Sequence, residues 1–187
     1  MNAYDFDKTI FYPDSSYCFV KFCLRHYPRA VLKALPGSAL TGLQVLRKQA
    51  DTKELKEQLF SFLPWIDDVG RVVAEFWDAH RGNLQPWYLA QKRADDVIIS
   101  ASPEFLLRPI CDELGVSLIA TRMDPYTGNI HGLNCHDEEK VRRFRERFPG
   151  LRPQNFYSDS QADAPMAAFS ERAFLVAGGG PILWRKK

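Results

Sequence analysis

The spacing of apolar and polar residues changes rhythm along this chain. From Ala3 to Ile10 a short apolar run carries Asp5 and Asp7, then gives way to turn chemistry at Pro13-Asp14-Ser15-Ser16, the pattern of a strand ending in polar residues. From Asp14 to Pro86 the apolar positions take helical spacing, with one stripe at Leu55, Leu59, Phe60 and Phe62 and another at Val72, Val73, Phe76 and Trp77. A helix is predicted over 17–27, capped by Asp14 or Ser15, and others over 28–35, 37–48, 53–63 and 65–81, broken at Pro36-Gly37 and Pro64. From Pro86 onward, helices and strands alternate. Helices are predicted over 86–94, 103–114, 137–148 and 162–169, and strands over 97–99, 116–120, 154–157 and 173–176. Asp124-Pro125-Tyr126-Thr127-Gly128 reads as a hairpin tip, and Gly178-Gly179-Gly180-Pro181 as a turn after the last strand.

Five strands separated by helices predict a parallel sheet in a three-layer α/β sandwich. The α/β core takes 1–13 and 86–187, and 14–85 forms an all-helical insert. In open sheets of this kind ligands bind at the carboxyl ends of the strands. Asp5, Ser100 and Asp159 all fall there.

Composition narrows the function. With 187 residues, 45% of them hydrophobic, the chain has material for a proper core and is not disordered. The 25 Lys and Arg against 23 Asp and Glu leave a net charge of +2, too balanced for a nucleic-acid binder. Cys18, Cys23, Cys111 and Cys135 form no C-x-x-C pair, and the four histidines show no metal-binding spacing. Reduced thiols, and a first strand that starts at Met1 with no signal peptide before it, give the expectation of a cytoplasmic protein.

Two carboxylates two residues apart at a strand end share a face. Such a pair is costly unless a cation or a shared proton relieves it. Mg²⁺ suits one or two carboxylates together with phosphate oxygens, and a carboxylate can itself be the nucleophile in phosphoryl transfer. Asp5-Phe6-Asp7-Lys8-Thr9, the strand-end Ser100, then Lys140, then Asp159 with Asp163 four residues on, resemble in their order the haloacid dehalogenase (HAD) superfamily of aspartate-nucleophile phosphatases. The resemblance covers almost the whole chain. The long insert and the wording Ser100-Ala101-Ser102-Pro103-Glu104-Phe105-Leu106 look like the phosphoserine-phosphatase-like subgroup.

That resemblance implies a Rossmann-like core with the helical insert as a cap. It implies a Mg²⁺-dependent phosphatase acting on a small phosphorylated metabolite through an aspartyl-phosphate. Asp5 is then the nucleophile, and Asp7 the acid/base that also offers its main-chain carbonyl to the metal. Asp159 is a further metal ligand, and Asp163 braces Asp159 and Lys140. Ser100 holds the phosphate with Ala101 and backbone N–H groups at the following helix start. Lys140 neutralises the nucleophile and the transferring oxygens, and Thr9 supplies the motif's hydroxyl. Three positions depart from the superfamily pattern: Lys8 and Ser158 where glycine is frequent, and Ala162 where asparagine is. The Lys8 side chain is expected to point away from the metal.

Substrate contacts are less determined. Asp14 stands where the subgroup grips a substrate amine, and is equally placed to cap a helix. Arg25, Arg29, Arg47 and Arg71 are candidates for a substrate carboxylate. The uncharged run from Ala34 to Leu46, flanked by Arg29, Lys33, Arg47 and Lys48, is too short and broken to span a bilayer but suits contact with an anionic membrane surface. A phospholipid head group is therefore the alternative substrate, and a non-turnover phospholigand-binding protein the alternative from another class.

Overall fold

The protein is described by a computed structural model covering residues 1–34, 53–177 and 180–184. Its sheet contains β1 (Ala3–Tyr4), β2 (Val97–Pro103), β3 (Ser117–Thr121), β4 (Asn155–Ser158), β5 (Arg172–Ala177) and β6 (Gly180–Leu183). They lie in the order β3-β2-β1-β4-β5-β6, with every pair parallel except β5 and β6. The chain leaves β1 for β2 and β3 on one side, then crosses back to β4 and β5 on the other. The strand order thus reverses beside β1, the place where ligands bind in open α/β sheets.

Of the turn expected over Gly178-Gly179-Gly180-Pro181, the first two residues lie outside the described residues, and Gly180 and Pro181 open a sixth strand. Pro181 pairs with Val176 on the sheet's edge, where its missing N–H costs no interior ladder bond. The helix predicted over 37–48, and the run from Ala34 to Leu46 apart from Ala34 itself, lie outside the described residues.

The helices are α1 (Ser15–His26), α2 (Pro28–Lys33), α3 (Lys53–Leu59), α4 (Val69–His80), α5 (Pro86–Gln91), α6 (Glu104–Leu114), α7 (Glu138–Arg147) and α8 (Ala164–Phe169), with 3-10 turns at Leu63–Trp65, Arg81–Asn83 and Gln161–Asp163. No helix among the described residues is long and apolar enough to cross a membrane. Asp14 caps α1 by accepting the Tyr17 N–H, and Asp68 caps α4 through the Arg71 N–H. The helix predicted over 53–63 ends at Leu59, and Pro64 lies in the 3-10 turn that follows.

Alternation along the strands builds two cores. Ala3, Val97, Ile99 and Phe156 face one way, packing with Val141 and Phe144 of α7 and Met166 and Phe169 of α8. Tyr4 and Ile98 face the other way, into a cluster that takes in Phe6, Ile10 and Phe11 together with Phe19, Phe60, Phe62, Phe76 and Trp77 of 14–85. Trp77 meets Phe11 edge-on at 5.4 Å, and Phe76 meets Phe19 at 5.5 Å. These aromatic residues are therefore packing, and one core holds both the first motif's loop and the helices of 14–85.

A hairpin after β3, bridged at Met123 and Ile130, adds a second connection. Asp124 accepts the N–H groups of Tyr126 and Thr127 at its tip, as the turn chemistry predicts. The Ile130 N–H donates to Glu57 of α3 at 2.8 Å. Gly128 has φ +76°, and a Cβ there would lie 2.6 Å from the Phe60 carbonyl oxygen. Gly132 also has positive φ but faces open space. Gly128→Ala is expected to cost more than the ~1–2 kcal/mol of left-handed backbone alone, and Gly132→Ala about that amount. The difference in urea midpoint between the two variants measures the hairpin's docking on 14–85.

Candidate active site

β1 stops at Tyr4, and Asp5 continues the ladder by donating its N–H to the Tyr157 carbonyl at 2.8 Å. The chain then turns sharply. Thr9, Ile10 and Phe11 all direct their N–H groups to the Phe6 carbonyl, at 3.3, 3.0 and 3.0 Å. Asp7 therefore lies in a loop and not on a strand, which corrects the alternation argument: a turn brings the two carboxylates together. Lys8 sits within this turn at φ +56°, a left-handed conformation that explains why glycine suits the position. Its side chain is exposed, and its charge partly offsets the burial that raises the Asp159 carboxyl.

Lys140 reaches this place from α7. Its ammonium is 2.7 Å from Asp5 Oδ1 and 2.8 Å from Asp163 Oδ2, and the side chain is 2% exposed. The charged stretch around it does form a solvated face, but Lys140 points inward. Glu139 fixes that orientation. It accepts from Arg142 and Arg143, while Arg143 also donates to the Ala120 carbonyl at 2.7 Å and the Leu133 carbonyl at 2.6 Å. Hydrogen bonds from Arg142, with those from Arg143, hold the Glu139 carboxyl down at about 2.

Burial pushes the Asp5 carboxyl well up, with Asp163 and Asp7 adding to it against the pull of Lys140. Burial likewise raises Asp7 and Asp159. Thr9 ties the two sides of the switch point together: its hydroxyl accepts the Asp159 N–H at 3.0 Å and lies 3.5 Å from Asp5 Oδ2. Asp163 contacts Lys140 as expected, but its other partner is the Ser158 hydroxyl at 2.7 Å and not Asp159. Ser158, where glycine is frequent, thus braces Asp163.

Ser100 is buried at the end of the regular part of β2, and its hydroxyl accepts the Ser102 N–H at 3.1 Å. The strand runs on to Pro103, and α6 begins at Glu104 with Pro103 as its unaided cap. The helix thus begins one residue after the predicted 103, and Ser102 is not its cap. Its hydroxyl donates to Asp7 instead.

Asp5 and Asp159 offer carboxylates, and Asp7 a main-chain carbonyl, at neighbouring strand ends. These are hard oxygen donors of the kind that fit Mg²⁺. Among the described residues no three His, Cys, Asp or Glu side chains are grouped to hold a metal by themselves.

A family model for haloacid dehalogenase-like hydrolases matches residues 3–168. The chain belongs to that family. This hydrolase is 31% identical over 199 aligned positions to Protein CicA of Caulobacter vibrioides, covering 96% of this chain and 87% of that one. Its fold is similar to that of a Bordetella pertussis Tohama I protein of unknown function, with TM-score 0.74, 24% identity, and coverage of 94% and 88%. It is also similar to a phospho-aspartyl intermediate analogue of phosphoserine phosphatase, with TM-score 0.56, 12% identity, and coverage of 92% and 84%. The two structural likenesses establish the fold alone.

Two residues of the hydrolase's site escaped the sequence reading. Ser102, followed by Pro103, carries the local signature of a helix cap. Lys56 was overlooked inside a stripe drawn through Leu55 and Leu59, which are only half-buried, whereas Lys56 is buried. Its ammonium donates to the Ala101 carbonyl and to Asn134 Oδ1, both at 2.9 Å. The Thr121 hydroxyl joins the same two oxygens and accepts the Cys135 N–H. A buried lysine in a polar-looking helix has no signature in periodicity. Of the arginines proposed for substrate, Arg25, Arg29 and Arg71 are exposed, and Arg47 lies outside the described residues. Asp14 caps α1 through Oδ1.

Lys140→Met is expected to destabilise the protein by about 3–5 kcal/mol in denaturant titration, because Asp5 and Asp163 lose their buried partner. Glu139 contributes stability above its unfolded value of 4.5 that is lost as pH falls toward 2. Glu139→Gln is therefore less stable than wild type at pH 7, and the gap in urea midpoint narrows as pH drops below 4.5.

Proposed function

We propose that the hydrolase is a Mg²⁺-dependent phosphomonoesterase that forms an aspartyl-phosphate on Asp5. The observation that carries this reading is Asp5 at the central strand's end, held through one oxygen by the buried Lys140, with Asp7 anchored beside it. Membership of the hydrolase family supports it, and so does a fold shared with the phospho-aspartyl analogue of phosphoserine phosphatase.

Asp5 attacks phosphorus in line while Asp7 gives a proton to the leaving oxygen. Asp7 then takes a proton from the water that hydrolyses the intermediate and frees phosphate. Lys140 neutralises charge on Asp5 and on the transferring oxygens, and Ser100 with Ala101 holds the phosphate. A Mg²⁺ ion held by Asp5, Asp159 and the Asp7 carbonyl would supply further positive charge to the phosphoryl group. Asp163 keeps Lys140 in place. The helices of 14–85 serve as a cap on the site, and a small phosphorylated metabolite is the substrate class. Four free cysteines, three of them buried, favour a cytoplasmic setting.

Phosphate release from a panel of phosphomonoesters, comprising phosphoserine, sugar phosphates, nucleotides and a phosphatidylglycerol phosphate, tests the proposal. Activity is expected with Mg²⁺, disappears with EDTA and returns when Mg²⁺ is restored. Asp5→Asn is expected to lose about a thousandfold or more in kcat while remaining folded. Full activity in Asp5→Asn would remove the nucleophile assignment.

A further inference from the structure

Asp7 is gripped at both carboxylate oxygens, from two different parts of the chain. Oδ1 accepts the Ser15 backbone N–H at 2.6 Å, at the first turn of α1. Oδ2 accepts the hydroxyl of Ser102, which is buried in the terminal stretch of β2. A serine hydroxyl has one hydrogen, and Ser102 spends it on Asp7. It must therefore be the acceptor toward Ser16 Oγ at 2.9 Å and Ser15 Oγ at 3.4 Å. Ser15 and Ser16 are themselves buried, so the four side chains form a closed polar cluster between α1 and β2.

The two anchors differ in kind. The Ser15 amide is fixed by the helix it opens and cannot turn away. The Ser102 hydroxyl rotates about a single bond. Oδ1 is thus held permanently, and Oδ2 is the oxygen able to exchange partners. We propose that Ser102 is a positioning residue for the acid/base Asp7, presenting Oδ2 to the leaving oxygen. This rests on the phosphatase reading above. In the first step the Asp5–phosphorus bond forms, the bond from phosphorus to the leaving oxygen breaks, and the proton on Asp7 Oδ2 passes to that oxygen. In the second, the water oxygen bonds to phosphorus as its proton passes to Asp7 and the Asp5–phosphorus bond breaks, freeing phosphate and restoring the Asp5 carboxylate. Ser102 donates only to the carboxylate and gains or loses no proton overall.

Proton delivery matters most when the leaving group is a poor one. An alkyl phosphate expels a strongly basic alkoxide unless it is protonated, whereas p-nitrophenyl phosphate expels a stable phenolate. kcat/KM reports the steps through loss of the leaving group, so comparing it for the two esters isolates the placement of Asp7. Ser102→Ala is expected to lower kcat/KM for the alkyl ester about ten- to a hundredfold more than for the aryl ester, a part of what a general acid supplies. Ser102→Thr, which keeps the hydroxyl, is expected to restore the wild-type ratio. Ser16→Ala is expected to move the ratio in the same direction by less.

Equal losses on both esters in Ser102→Ala would overturn the positioning role while leaving the phosphatase reading intact. An unchanged ratio in a Ser102→Ala protein of wild-type circular dichroism would do the same. A wild-type protein silent on both esters in Mg²⁺ would overturn the phosphatase reading and this assignment with it.

Discussion

The buried ammonium of Lys140, set between Asp5 and Asp163, is the contact on which the catalytic end of the sheet depends. Four carboxylates are drawn toward the strand ends on either side of the switch point, and burial raises three of them. Ionised groups so placed stay charged only if a cation stands among them. Much of the local structure follows from that need. α7 must present one lysine inward from a stretch of charges, and its rotation is fixed by Glu139 holding Arg142 and Arg143 while Arg143 donates to the carbonyls of Ala120 and Leu133. Ser158 steadies Asp163, and Thr9 joins the end of β4 to the loop after β1. The same charge pulls down the Asp5 carboxyl that burial pushes up.

The parts legible in the sequence were those with a local cause. Val97–Ile99 is a continuous apolar run because a central parallel strand is covered on both faces, and it appears as β2. Gly115 closes α6 at φ +68°, as a glycine after a helix should. Asp5, Ser100 and Asp159 lie at strand ends because topology puts polar residues there. What could not be read depends on contacts between distant segments. Ser102, followed by proline, has the local signature of a cap, but a carboxylate 95 positions away claims its hydroxyl. Lys56 is apparently one more surface lysine until the Ala101 carbonyl is brought to it by folding. Gly180 and Pro181 carry no strand signal, and only the free edge of β5 draws them into β6.

The segment 14–85 is joined to the sheet by more than its two ends. Its aromatic residues continue the core beneath Phe6 and Phe11. The first turn of α1 supplies the Ser15 amide to Asp7, and Lys56 takes the Ala101 carbonyl next to Ser100. Helices that follow the first motif in sequence thus return to touch the loop of the second.

The close approach of Gly128 to the Phe60 carbonyl bears on how such a protein diversifies. A domain inserted at a surface loop can usually be exchanged for another, since only two junctions need to match. Here the fit includes a glycine in a hairpin far along the chain, a glutamate on α3 answering the backbone of Ile130, and a lysine answering Ala101. Exchange of the insert alone would leave the hairpin shaped for a surface no longer present. Inheritance of a new substrate preference by recombination would therefore have to bring residues 123–134 along with 14–85, which makes gradual substitution within the existing helices the easier route.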